Sequence, residues 1–201
     1  MITVGVDAAV VERRLVAGQL RCPGCAGVLS GWGHARERSV RDREGSVRLR
    51  LRRSRCCGCG VTHVLLPVVV LLRRADLAAV IAAALAAKAA GAGCRPIAAA
   101  LGRPVETVRG WLRRFGGRLE PVRALFTVWL RSLDPDPMMP AAARNAWADA
   151  LAAMEATTAA LARRFVCTVP SWQVATVISG GRLLAPGWPS AVDQHELTLT
   201  R

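Results

Sequence analysis

Cys22-Pro23-Gly24-Cys25 and Cys56-Cys57-Gly58-Cys59 place four thiols in two matching C-x-x-C pairs. A C-x-x-C turn aims two thiolates at one point, and two such turns complete a tetrahedral Cys₄ site for one structural zinc. Four thiolates leave the metal no open position for water, so the chemistry expected of Cys22, Cys25, Cys56 and Cys59 is stability and not catalysis. The second pair holds an extra thiol, Cys57, and His63 follows Cys59 by four residues. Symmetry with the first pair favours Cys56 and Cys59, with Cys57 and His63 as alternatives for one place. Gly24 and Gly58 each precede the second cysteine of their pair, a position where a left-handed backbone is commonly needed.

The elements around the cysteines must bring the two turns together. Thirty residues separate Cys25 from Cys56, room enough for a hairpin, and residues 1–72 read as a zinc-ribbon module. Val47, Leu49 and Leu51 alternate with Arg48, Arg50 and Arg52, a period-2 strand with one apolar and one arginine face. Residues 28–38 supply its expected partner strand, with a turn at Arg43-Glu44-Gly45-Ser46. A structural zinc adds folding free energy directly to a sheet with so thin a core.

Charge narrows the partner. The chain of 201 residues carries a formal net charge of +14, and its 52% hydrophobic content excludes a wholly disordered protein. Residues 1–75 hold 14 Arg against 5 acids (net +9), residues 76–132 hold 9 Lys+Arg against 3 acids (net +6), and residues 133–201 hold 5 Arg against 6 acids (net −1). GC-rich coding explains plentiful alanine and arginine with a single lysine, but not why the last third is neutral. A bias confined to the first two thirds points to a polyanion, with double-stranded DNA as the leading partner. Residues 64–72 are too short to span a membrane, and the alanine-rich run at 77–90 is interrupted by Lys88 and closed by glycines. With no signal-peptide pattern and with thiols free for zinc, a cytoplasmic location and no membrane partner are expected.

A second constellation follows. Asp76 is placed to cap an alanine-rich helix running to about Ala90, which Gly91-Ala92-Gly93 ends. Residues 95–115 then read as a short helix, a turn at Gly102 and a second helix, with Ile97, Leu101, Val108, Leu112 and Phe115 where two steeply crossed helices share a core. This is a helix-turn-helix pattern over a domain of residues 73–120. Its second helix, opening near Pro104, is the recognition helix, with Val105, Glu106, Arg109 and Arg113 facing base edges. Arg109 suits a bidentate guanine contact and Glu106 can accept from cytosine N4. Arg103, Arg114 and Arg118 are expected on phosphates. Trp111 is expected in the core.

The segment from Ile97 to Phe115 resembles those of bacterial regulators and transposases. Together with Arg21-Cys22-Pro23-x-Cys25 and Cys56-x-x-Cys59-x-x-Thr62-His63-x-Leu65-Leu66-Pro67, it also resembles an actinobacterial family that sets a zinc ribbon ahead of a helix-turn-helix, similar to the N-terminal DNA-binding regions of insertion-sequence transposases. The resemblance spans most of residues 20–118 and implies DNA binding linked to mobile elements. Transposases of this layout carry a catalytic carboxylate domain downstream, and none is expected within these 201 residues.

The last third shows no catalytic set. Asp134-Pro135-Asp136-Pro137 is an ordinary turn. Val122, Leu125, Phe126, Trp129 and Leu130 mark one helix, and residues 141–165 a second, with Trp147, Leu151, Met154 and Leu161 along its apolar face. The two are expected to form an antiparallel hairpin within residues 121–201, offering a surface for a homodimer or completing a helical core. Cys94 and Cys167 are expected as buried small residues. Ser171, Asp193 and His195 spell a triad without a nucleophile elbow and carry no enzymatic reading. The expected fold class is α+β: an N-terminal zinc-ribbon hairpin, an all-α helix-turn-helix domain and a C-terminal helical hairpin. The expected function is a non-enzymatic DNA-binding protein, a regulator or transposase-related accessory. A nuclease or transposase fragment is the alternative.

Overall fold

Six strands and seven helices follow one another through residues 1–189, the part of the chain that the computed structural model describes. Asp193 and His195 lie outside the described residues. β1 (Ile2–Val4) runs parallel to β6 (Thr62–Pro67), and β5 (Arg52–Cys56) lies antiparallel between β6 and β2 (Leu29–His34). Between β1 and β2 sits α1 (Ala8–Val16), opened by Asp7, whose carboxylate accepts from the amides of Ala9 and Val10. Val11 and Leu15 of α1 pack with Val4, Leu20, Leu29 and Leu65 into a small core against the sheet.

β3 (Arg38–Arg41) and β4 (Ser46–Leu49) form a separate hairpin, closed by the Asp42 amide donating to Gly45 O at 2.8 Å. The single strand expected over residues 47–52, with residues 28–38 as its partner, is therefore corrected. The alternating run changes partners midway: Val47 pairs with Val40 in the hairpin, whereas Arg52 opens β5 and pairs with His34 of β2. The expected faces change with it. Val47 is 44% exposed. The Arg52 fork turns onto Glu12 of α1 at 2.8 and 2.9 Å and pulls that carboxylate below its usual range.

The remaining helices are α2 (Ala78–Ala89), α3 (Cys94–Leu101), α4 (Val105–Gly116), α5 (Leu119–Leu133), α6 (Ala146–Phe165) and α7 (Ser171–Ile178). α2 is apolar nearly all round, and Val80, Ile81, Ala84 and Leu85 are wholly buried; a helix of that kind is the centre of a core. Ile97 of α3, Val108 and Phe115 of α4, Phe126 of α5, Met154 of α6 and Trp188 join it in one continuous cluster. α5 and α6 pack lengthwise, and the Thr157 hydroxyl donates to Phe126 O at 2.8 Å across their seam.

Two helix starts differ from expectation. Leu77, with no side-chain bond, caps α2, because the Asp76 carboxylate is turned into the protein. α6 begins at Ala146 and not at residue 141, because Asn145 supplies the better cap: its side-chain oxygen accepts from the amides of Trp147 and Ala148, while its Nδ2 donates to Ala89 O at 3.0 Å and ties α6 to the end of α2. Cys94 and Cys167 are half-buried, short of the full burial expected. Among the described residues no helix is long and apolar enough to cross a membrane.

Candidate functional site

The two cysteine turns repeat one hydrogen-bond pattern. Cys22 N–H donates to Gly27 O and Ala26 N–H to Cys22 O, both at 2.8 Å. In the second turn Cys56 N–H donates to Val61 O at 2.9 Å and Gly60 N–H to Cys56 O at 3.0 Å. The left-handed residue comes just after the second cysteine of each pair, Ala26 with φ 57° and Gly60 with φ 73°, which corrects the expectation for Gly24 and Gly58. An alanine there is strained by roughly 1–2 kcal/mol, whereas glycine adopts the conformation freely at an entropic cost of about 0.5–1 kcal/mol. Ala26→Gly is therefore expected to raise stability by about 0.5–1 kcal/mol, read as a higher denaturant midpoint of the metal-loaded protein. Gly27 is needed for another reason: a Cβ there would lie 2.9 Å from Cys56 Sγ and 3.3 Å from Cys25 Sγ.

These turns bring Cys22, Cys25, Cys56 and Cys59 together with all four sulfurs within 4.8 Å of one another. Cys22 and Cys59 sulfurs are 3.8 Å apart and those of Cys25 and Cys56 3.4 Å apart. A tetrahedron with metal–sulfur bonds of about 2.3 Å has edges of about 3.8 Å, so the set fits one metal ion. Cys22 and Cys56 are buried and Cys25 and Cys59 face solvent, while Cys57 is exposed and outside the group. Without metal the thiols bias one another. The backbone amide of Cys59, 3.5 Å from Cys56 Sγ, leads the contacts that pull the Cys56 thiol down to about 6. At Cys25 the Gly27 amide acts in the same direction, but contacts with Cys56, Cys59 and Cys22 outweigh it and push the thiol up to about 12.

His63 does not join the set. It is buried on β6 with Nε2 3.4 Å from Cys22 Sγ and Nδ1 3.1 Å from the amino group of Met1. Burial, then the nearby amino group, lowers its pKa. A neutral ring that accepts at Nδ1 and donates from Nε2 satisfies both contacts and holds Cys22 in orientation.

Asp76 is a second centre, and an unexpected one. Its carboxylate is 1% exposed and holds two guanidiniums: Arg41 of β3, by a fork at 3.1 and 2.7 Å, and Arg103, at 2.6 Å. Arg103 also donates to Leu101 O, at 3.0 Å, and to the Asp42 carbonyl in the β3–β4 turn. The structure thus places Arg103 in an inward lock between the hairpin and the α3–α4 turn, and not on the outer surface expected of a phosphate contact.

The α3–α4 turn is set by Gly102, whose φ of 60° and ψ of 39° put it in the left-handed region. From there α4 buries Val108, Trp111, Leu112 and Phe115 against the helical core. Glu106, Arg109 and Arg113 lie on its exposed side at i, i+3 and i+7, and the Arg109 guanidinium pairs with the Glu106 carboxylate. Val105 is half-buried and packs against the core. Arg114 is half-buried and donates to Gly110 O at 2.9 Å. Of the seven expected DNA-contact residues, three therefore share one open face, Val105 and Arg114 flank it, Arg103 is turned away, and Arg118 lies just past the end of α4 with its guanidinium donating to Ala185 O and Trp188 O.

Sequence reading missed the Asp76 lock, because its partners stand 35 and 27 residues away with no periodic signal. It also missed Trp32, 49% exposed on the edge strand β2 with the Arg55 guanidinium 4.8 Å from its ring.

Residues 22–111 match the model of a domain of unknown function (DUF6431). The matched span begins at the first cysteine of the metal group and ends on α4, and it contains Asp76, Arg103 and Arg109. No curated protein and no solved structure matches the chain.

Proposed function

We propose that this chain is a zinc-containing, non-enzymatic DNA-binding protein, a transcriptional regulator or transposase-related accessory factor, which reads the major groove of duplex DNA with α4. The observation that carries the proposal is the open face of α4. Glu106, Arg109 and Arg113 line it on a helix held by a tight left-handed turn, inside the stretch of net charge +6. A short helix, a glycine turn and a second helix with an exposed polar face are the parts of a helix-turn-helix reader.

In this reading Arg109 takes a guanine through its two forked donors and Glu106 accepts from a neighbouring cytosine. Arg113 faces a base edge one turn further along α4, Arg114 serves the flanking backbone, and Val105 contacts a thymine methyl or the groove wall. The Glu106–Arg109 pair opens on binding, so Arg109 exchanges one anionic partner for a base edge. The zinc of residues 1–72 clasps a module whose hairpin braces the α3–α4 turn of residues 73–120, and residues 121–201 support that reader or pair two copies. Zinc is the metal that four thiolates in a tetrahedron suit best in the reducing cytoplasm expected for the chain.

Arg109→Ala combined with Arg113→Ala is expected to weaken binding to a selected duplex by at least about ten-fold, since one bidentate base contact is worth roughly 1–3 kcal/mol. Selection from a random duplex library followed by titration of both proteins measures it, and unchanged affinity would refute the assignment of α4.

A further inference from the structure

Arg74, in the connection between β6 and α2, and Arg118, just after α4, converge on one stretch of backbone. Arg74 Nη2 donates to Leu184 O at 2.8 Å, and Arg118 Nη1 donates to Ala185 O at 2.5 Å and to Trp188 O at 2.9 Å. Arg114 stands four residues before Arg118, with one nitrogen on Gly110 O. All three guanidiniums are half-buried, and among the described residues none forms an ion pair with a carboxylate.

Such a gathering is electrostatically incomplete. Burial first, then repulsion from Arg114 and Arg118, lowers the pKa of Arg74, and burial together with Arg114 does the same to Arg118. The C-terminus of α4 offsets only about half a unit of charge, against three whole ones. Donors also outnumber acceptors locally, with Arg74 Nε and Trp188 Nε1 buried without a partner. A cluster of positive donors with no carboxylate paired to it among the described residues fits an anion, and forked guanidiniums fit the oxygens of a phosphate.

We propose that Arg74, Arg114 and Arg118 form a phosphate-binding site at the C-terminal end of α4, occupied by a backbone phosphate of DNA or by a free phosphate anion. The first source rests on the proposed DNA binding and the second does not. Both arms of the test use the metal-loaded full chain and Arg114→Gln, a variant that loses only a bond to its own helix, with Arg114→Lys as a charge-retaining control.

In the first arm, pyrophosphate at constant ionic strength is expected to raise the melting temperature of the parent protein by about 3 °C or more. Arg114→Gln loses most of that rise and Arg114→Lys keeps part of it if a free anion is the occupant. In the second arm, Arg114→Gln and Arg74→Gln each make the slope of log affinity against log salt on duplex DNA shallower by about 1 if a backbone phosphate is the occupant, and a loss confined to Arg114→Gln counts against a joint site. Either result supports the site. A variant that matches the parent in both arms overturns it, and a chain that does not bind duplex at all is still judged by pyrophosphate.

Discussion

Chelating the metal is expected to unfold the β2–β5–β6 sheet and its cysteine turns while the α5–α6 pair stays folded. The small core beside that sheet consists of little more than Val4, Val11, Leu15, Leu20, Leu29 and Leu65, with Cys22 and Cys56 completing it from the metal side. Structural zinc contributes roughly 10–16 kcal/mol of apparent binding free energy in small peptides at neutral pH, more than a core of this size supplies. Removing the ion also takes away the bonds that draw four sulfurs within 4.8 Å of one another, and the thiolates take up protons as it leaves. Amide exchange resolved along the chain would show protection lost over residues 20–67 and kept over α5 and α6. Cys22→Ser should reproduce the loss, because Cys22 is both a proposed ligand and the partner of His63. Protection unchanged after complete metal removal would mean that the sheet stands without its clasp.

Replacing Asp76 with alanine is expected to cost about 3–5 kcal/mol, the range for breaking a buried ion pair from one side. The carboxylate is 1% exposed and its Arg103 partner 9%, so both charges lie out of water, whereas Arg41 at 42% is screened and adds little. The variant leaves Arg103 buried beside the carbonyls of Leu101 and Asp42 with no anion to neutralise it. Arg103→Met in the same background should restore part of the loss by removing the stranded charge, and the double-mutant cycle isolates the pair itself. Guanidinium unfolding curves measure all four proteins. A single-variant cost below about 1 kcal/mol would show that the hairpin and the α3–α4 turn hold together without this lock.

The parts of the fold that could be read from the chain are those encoded locally. The cysteine pairs announce their turns by spacing alone, and Ile97, Leu101, Val108, Leu112 and Phe115 announce α3 and α4 by helical period. What escaped depends on distant partners. The alternation from Val47 to Arg52 is genuine, yet it serves two strands, because residues 47–49 meet β3 while Arg52 turns to β2 and Glu12. Asp76 has the position of a helix cap, and nothing nearby reveals that Arg41 and Arg103 will draw its carboxylate inward. β1 is three residues long and gains its place only by pairing with β6, some sixty residues on. At the candidate site the same division holds: Glu106, Arg109 and Arg113 follow from the period of α4, whereas the inward turn of Arg103 does not.

The affinity of the metal-loaded protein for duplex DNA across a salt series tests the central claim most directly. Arg74, Arg114 and Arg118 at the end of α4 together imply three phosphate contacts, and each contributes a slope of about −0.9 in log affinity against log salt. A slope of about −3 or steeper is expected, and a flat line, or no binding at the lowest salt, would contradict the account.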